Sequence, residues 1–358
     1  SLAEDKDLSR SFSYYLKSAE LNFAMGQFFV ADCYEKGLGI TKNMSEAIIY
    51  YRMSAEQGFP HAQDRYAKLL VVGHGQELPQ DIKKAAEYFV KAADQNLASS
   101  CYAAGLLFTG KDTEVTDFYR GFQYLLKAAE LGFAAAHRII ASCYMNGVGV
   151  EKNNEKALVH FKQGADSNED AAGQYQLGIS YMNLPAPLQN VDEGLRYLKL
   201  AGDQGHSEAL YVLSGYYRDT NPSSSLEYLH LAAELGYAAA EHDLGISYFY
   251  GKDGSEKDLP KSFIYFKRAA DQGNSKAQHI VGVCYRNGFG VDVDHVQAVV
   301  YHRLAVEQEN ADAMFLLGVH YAEGNGVEAS METAQAYIQR SADLGNKDAI
   351  AAIKTLVI

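Results

Sequence analysis

Three stretches decide the fold: Ala136-His-Arg-Ile-Ile-Ala-Ser-Cys-Tyr144-Met-Asn-Gly-Val-Gly-Val150, Ala277-Gln-His-Ile-Val-Gly-Val-Cys-Tyr285-Arg-Asn-Gly-Phe-Gly-Val291 and Ala313-Met-Phe-Leu-Leu-Gly-Val-His-Tyr321-Ala-Glu-Gly-Asn-Gly-Val327. Each puts a small residue eight places before a tyrosine, an apolar residue four before it and a small residue three before it. Gly-x-Gly then follows. Positions 0, −3, −4 and −8 share one face of an α-helix, so the pattern reads as a helix with a close-packed face. Glycine at −3, as at Gly178, Gly245, Gly282 and Gly318, costs roughly 0.5–1 kcal/mol against alanine inside a helix, so its recurrence implies a steric demand.

Working outward, each such helix is followed by a second segment that ends in two small residues and a glycine. Tyr124-Leu-Leu-Lys-Ala-Ala-Glu-Leu-Gly132 and Tyr265-Phe-Lys-Arg-Ala-Ala-Asp-Gln-Gly273 are examples. The closing position falls at Gly58, Asn96, Gly132, Asn168, Gly205, Gly236, Gly273, Glu309 and Gly345, in steps of 38, 36, 36, 37, 31, 37, 36 and 36. Glycine and asparagine suit a left-handed helix cap; glutamate suits it less well. A period near 36 made of two helices is a solenoid, in which each pair contacts its neighbours.

The reading is therefore an all-α solenoid of about nine to ten antiparallel helix pairs. An unpaired second helix at Arg10–Asn22 occupies residues 1–22, the array fills 23–346, and a lone first helix at Lys347–Val357 lies in 347–358. The large repeat tyrosine is expected to fill the space between pairs, with its hydroxyl in search of a partner.

Taken together, Ala-x3-Leu-Gly-x2-Tyr-x2-Gly-x-Gly-Val and the later Lys-Ala-Ala-x-x-Gly resemble the Sel-1-like repeat signature over nearly the whole chain. The resemblance implies a right-handed superhelix and a role as adaptor or scaffold in protein complexes. It implies no catalytic residues. Several pairs depart from the motif: Gly-x-Gly is complete at Gly37/Gly39, Gly147/Gly149, Gly288/Gly290 and Gly324/Gly326. It is rebuilt at Gly73–Pro79, at Gly110-Lys-Asp-Thr-Glu and at Gly251-Lys-Asp-Gly254. Asn183-Leu-Pro-Ala-Pro187 replaces it in the fifth pair, and the sixth has almost no loop across Arg218–Ser225.

Composition narrows the function. A net charge of −13 argues against a non-specific nucleic-acid binder, which needs clustered Lys and Arg to displace counterions. No run of 18 apolar residues exists to span a bilayer, and the polar start Ser-Leu-Ala-Glu-Asp-Lys-Asp does not read as a signal peptide. Cys33, Cys101, Cys143 and Cys284 form neither a zinc pattern nor a disulfide framework. Cys33, Cys143 and Cys284 share one slot and read as small apolar filler. The Gly-x-Gly loops lack the strand that a dinucleotide site requires. Among 11 histidines no His-Glu-x-x-His occurs. His295 and His302 could face alike, and Glu241 neighbours His242, but a metal needs three or four convergent ligands. No catalytic, metal-binding or cofactor-binding residues are assigned.

The candidate site is a stripe six places before the repeat tyrosine: Phe28, Asp64, Tyr102, Arg138, Tyr175, Tyr211, His242, His279 and Phe315. At 100° per residue it lies about 120° from the packing face, on the margin between core and first-helix surface. In solenoids of this kind first helices line the concave side. Phe28, Tyr102, Arg138, Tyr175, Tyr211, His242, His279 and Phe315 are therefore the expected partner-binding residues, since aromatic side chains anchor recognition surfaces. Packing of the same rings on the next pair is the competing structural reading. Positions −5 and −2 point more directly outward and are often apolar: Phe29, Ile139, Ile179, Ile246, Val283, Leu316 and Val319. The expected function is a non-catalytic scaffold binding a protein or peptide. The alternatives are a hydrolase that uses the array as a substrate platform, and self-assembly through the apolar end Ala351–Ile358.

Overall fold

The structure is a computed structural model that describes residues 2–111, 114–165, 170–252 and 254–356. Within them the chain forms twenty α-helices, joined by short turns, and no named strand. One isolated bridge, His74 with Leu78, closes the rebuilt second loop. The helices group into two compact units. The first holds α1 (Leu2–Glu20), α2 (Ala24–Lys36), α3 (Met44–Glu56), α4 (Pro60–Val72), α5 (Ile82–Asp94), α6 (Ala98–Thr109), α7 (Phe118–Glu130), α8 (Ala135–Asn146), α9 (Asn154–Ala165) and α10 (Ala171–Asn183). The second holds α11 (Val191–Asp203), α12 (Ser207–Tyr217), α13 (Pro222–Glu234), α14 (Ala238–Tyr250), α15 (Leu259–Asp271), α16 (Ser275–Asn287), α17 (His295–Glu307), α18 (Ala311–Glu323), α19 (Met331–Asp343) and α20 (Lys347–Leu356). In each unit a helix packs chiefly on the helices before and after it in sequence. The helix expected at Arg10–Asn22 is α1, which starts at Leu2, eight residues earlier, and the last two residues of the apolar end, Val357 and Ile358, lie outside the described residues.

Local chemistry sets the boundaries. The second helices open on Asn43, Asp81, Asp117, Asn190, Asn221, Asp258, Asp294 and Ser330, and each side chain accepts a hydrogen bond from the amide three residues on. Such a cap satisfies one orphan donor and contributes about 1 kcal/mol. The second helices end on the closing residues, whose φ is positive at Gly58, Asn96, Gly132, Gly205, Gly236, Gly273, Glu309 and Gly345. Glu309 takes this conformation at φ 59° despite its side chain; Asn168 lies outside the described residues.

The small residues have distinct jobs. A side-chain carbon added at Gly105, Gly245 or Gly318 would lie 2.6–2.7 Å from Leu125, Phe266 or Ile338, the large residue of the pair's own second helix. The −3 position is thus the seat for that side chain. The second glycine of the Gly-x-Gly loop works between pairs: at Gly39, Gly149, Gly290 and Gly326 a side chain would overlap the carbonyl of Leu8, Phe118, Leu259 or His295. Each of those carbonyls belongs to the preceding pair's second helix, so the loop is a coupling piece.

The repeat tyrosine stacks within its own pair. Ring centroids are 6.1 Å apart for Tyr34–Tyr50, 5.7 Å for Tyr248–Tyr265, 5.9 Å for Tyr285–Tyr301 and 5.8 Å for Tyr321–Tyr337, all near parallel. Some hydroxyls also find partners: Tyr248 Oη accepts from Lys261 Nζ at 2.7 Å.

The first-helix face

Side chains link neighbouring first helices. Glu35 on α2 pairs with Arg65 on α4, and Asp64 on α4 accepts from Ser100 Oγ on α6 at 2.7 Å. In the second unit Tyr211 Oη on α12 donates to Asp243 Oδ2 on α14 at 3.0 Å, and Arg286 on α16 lies 3.8 Å from Glu323 on α18.

Every residue of the predicted stripe is half-buried or buried, and none is exposed. Phe28 packs on Phe59 (5.3 Å), Tyr102 on Phe133 (4.8 Å) and Tyr211 on Tyr237 (5.2 Å). In each case the partner is the residue that follows the pair's own closing glycine. These rings therefore help lock the helix pairs together while keeping part of their surface outward. Asp64 is buried and tied to Lys68 at 2.6 Å. Tyr211 and His242 meet at Asp243, whose Oδ1 lies 3.1 Å from His242 Nδ1. Burial alone would raise the Asp243 pKa, but the hydrogen bonds from His242 and Tyr211 and the Arg218 charge hold it below the usual carboxylate range. Burial first, and then the Asp243 charge, push the Tyr211 phenol up to about 12. His279 is half-buried beside His302, while Arg138, Tyr175 and Phe315 are half-buried on α8, α10 and α18. Within each unit the stripe is thus shared out along successive first helices.

Apolar clefts lie beside the stripe, at the −5 and −2 positions. In the first unit a cleft of about 280 Å³ opens between α4 and α6, lined by Lys68, Val71, Val72, Phe89, Ala103, Leu106 and Leu107. In the second unit a cleft of about 230 Å³ opens between α14 and α16, lined by Ile246, Phe249, Tyr250, Phe266, Ile280, Val283, Cys284 and Phe289 and by the stripe residue His279. The two are built from equivalent repeat positions: −2 and +1 of one first helix, −5, −2 and −1 of the next, and the large second-helix residue beneath. Ile246 and Val283 are legible in the sequence as apolar −2 residues; the cleft is not, because it is formed jointly by two consecutive first helices and the large second-helix residue beneath them.

A second feature lay outside the sequence reading. Seven places before the repeat tyrosine the first helices carry Gln27, Gln63, Glu241 and Gln278, all buried. Each accepts from a glutamine that ends its second helix: Gln57 at 2.7 Å, Gln95 at 2.9 Å, Gln272 at 2.7 Å and Gln308 at 2.9 Å. The recurrence of Gln at two fixed offsets was the available signal.

The four cysteines are free and buried. Burial raises all four thiols, Cys143 to about 11 and Cys284 to about 12, which keeps them protonated. His295 and His302 both approach His320, at 6.2 and 5.4 Å between rings, and among the described residues no group of three or more side chains could hold a metal ion. Among the described residues no helix is long and apolar enough to cross a membrane.

The Sel1 repeat family model matches ten consecutive segments between residues 3 and 346. A solved structure of a Sel1 repeat protein from Oxalobacter formigenes is similar with a TM-score of 0.66 and 25% identity, covering 86% of this chain and 90% of that one. The chitin synthase regulator SKT5 of Saccharomyces cerevisiae is 23% identical over 286 residues, 75% of this chain and 41% of that protein. The DAP3-binding cell death enhancer 1 of Mus musculus is 29% identical over 190 residues, 53% of this chain and 37% of that protein. The chain spans about half or less of the length of the curated relatives it matches.

Proposed function

The chain belongs to the Sel1 repeat family, and from that premise we propose that it is a non-catalytic scaffold that binds a partner protein on the first-helix face of its helix pairs. Relatives named as a regulator and as a binding protein support an interaction role in general. The observation that carries the finer reading is the repetition of one apolar cleft at equivalent positions in the two units. Leu106 stands 38% exposed on the rim of the first cleft, within reach of a partner. A partner's apolar side chain seated in such a cleft would be desolvated, as interface anchors are. Phe28, Tyr102, Arg138, Tyr175, Tyr211, His242, His279 and Phe315 form the flanking rows, where rings and polar tips offer orientation as well as area.

The test is affinity capture from the native cell extract with the full chain as bait. The first variant combines Leu106→Glu and Val283→Glu, one charge in each cleft. The second combines Tyr175→Ala, Tyr211→Ala and Phe315→Ala. Proteins retained by the wild type should be lost at least tenfold by the cleft variant, with circular dichroism confirming the fold. Unchanged retention by both folded variants would remove the first-helix face from the interface.

A further inference from the structure

In each pair the second helix carries one large side chain seven places before the closing residue, and at Gly105, Gly245, Gly282 and Gly318 that side chain sits on the small −3 residue of the first helix. Along the array these are Tyr51, Phe89, Leu125, Phe161, Leu198, Leu229, Phe266, His302 and Ile338. His302 is the exception to an otherwise aromatic or aliphatic series. Its ring rests on Gly282, it is 0% exposed, and neither nitrogen lies in hydrogen-bonding geometry with a partner. Two more histidines complete the cluster, at 5.6 Å for His279 on α16 and 5.4 Å for His320 on α18. His320 is fully buried in the slot that Cys33, Cys143 and Cys284 fill elsewhere. Its Nδ1 lies 2.8 Å from the Asn325 carbonyl oxygen, so Nδ1 carries the proton and donates, leaving Nε2 without a partner.

An imidazolium in such a place would be a buried charge with nothing to pair it. The titratable and charged groups around His302 are His279 and Arg286 from α16 and His320 from α18, none of them an anion. Around His320 stand Arg286, His295 from α17 and Glu323 on its own helix; around His279 stands Asp312 from α18. Glu323 is already paired with Arg286.

We infer that the His279–His302–His320 cluster makes the α16–α18 segment acid-labile: the pairs pack there while the imidazoles are neutral, and protonation selects the opened form. Burial lowers the pKa of all three histidines, and takes His302 to about 3, against an ordinary value of 6.5; the main chain at His279 exerts only a weak opposing pull on His302. A folded-state value below the unfolded one means that the opened chain binds the proton first. The stability is complete above about pH 6.5 and falls as the pH drops below it, for His302 down to about 3, by up to about tenfold in the closed-to-open ratio per histidine and pH unit. Local opening of a few helices is an accessible event in a nearest-neighbour array.

The experiment measures amide protection factors of the full chain at pH 7.5 and 5.5. Protection in α16, α17 and α18 should fall by about tenfold to a thousandfold, while that in α3–α5 holds. His302→Phe installs the residue found at position 89, 161 or 266, and should cut the loss by about tenfold. Equal losses in wild type and variant, or no loss in α16–α18, would overturn the inference. Should the variant not fold at pH 7.5, the wild-type ring signals decide: a His302 that titrates near 6.5 within the folded chain overturns the inference, and one that stays neutral to pH 5 upholds it.

Discussion

Two glycines with the same backbone sign differ in what they do. Gly58 has φ 91° and open space where a side chain would go, so Gly58→Ala incurs only the left-handed conformation, about 1 kcal/mol. Gly149 has φ 68° and would also drive its new carbon into the carbonyl of Phe118, so Gly149→Ala should cost about 3 kcal/mol or more. Hydrogen-exchange free energies in α7–α9 and in α3–α4 read the two losses; equal values would mean that the second loop glycine serves conformation alone. The positions of both glycines were plain from the repeat. The steric reason for Gly149 was not, because its neighbour belongs to the preceding pair, outside the repeat that defines it. The stripe was half legible for a similar cause: an angle of 120° from the packing face marks a margin, and only the ring that follows each closing glycine decides that Phe28, Tyr102 and Tyr211 are half-covered.

At the scale of the element, a ring stack and a glutamine bond together join the first helix to the second in the α2–α3, α14–α15 and α16–α17 pairs. Tyr248 and Tyr265 lie 5.7 Å apart at 4°, with Lys261 Nζ 4.2 Å from the Tyr248 centroid. A double-mutant cycle with Tyr248→Leu and Tyr265→Leu should return a coupling of about 0.5–1.5 kcal/mol beyond the lost area. Coupling near zero would reduce the pair to ordinary burial. The helices within the array were readable, since small residues at −8 and −3 and the closing position fix both segments, whereas the start of α1, which has no such preceding pattern, was not. The stack was not read, although Tyr50, Tyr124, Tyr301 and Tyr337 follow Tyr34, Phe108, Tyr285 and Tyr321 at a constant offset of 16. That offset crosses a loop, and loop length rather than helical period sets it. Where the loop shrinks, the offset falls to 11 for Tyr217 and Tyr228, and the stack survives at 5.8 Å.

On the scale of the whole molecule, the described residues form several separate hydrophobic cores. Each is built mainly from successive helices: Ala31 through Phe108 in one, Leu210 through Tyr248 in another. Free energy in such a chain is close to a sum of pair stabilities and nearest-neighbour interfaces, so damage should decay along the sequence. Leu317 on α18 is fully buried between its neighbours, and Leu317→Ala should cost about 2–5 kcal/mol there. Amide protection should drop most in α17–α19, less in α15 and α16, and not at all in α2–α8. A uniform drop over all helices would mean that the repeats fold as one cooperative body. The same additivity bears on function. A scaffold whose pairs are separately stable can keep one first-helix cleft formed while another opens, so Leu317→Ala should leave capture of any partner held at the α4–α6 cleft unchanged, and weaken only what the second unit holds.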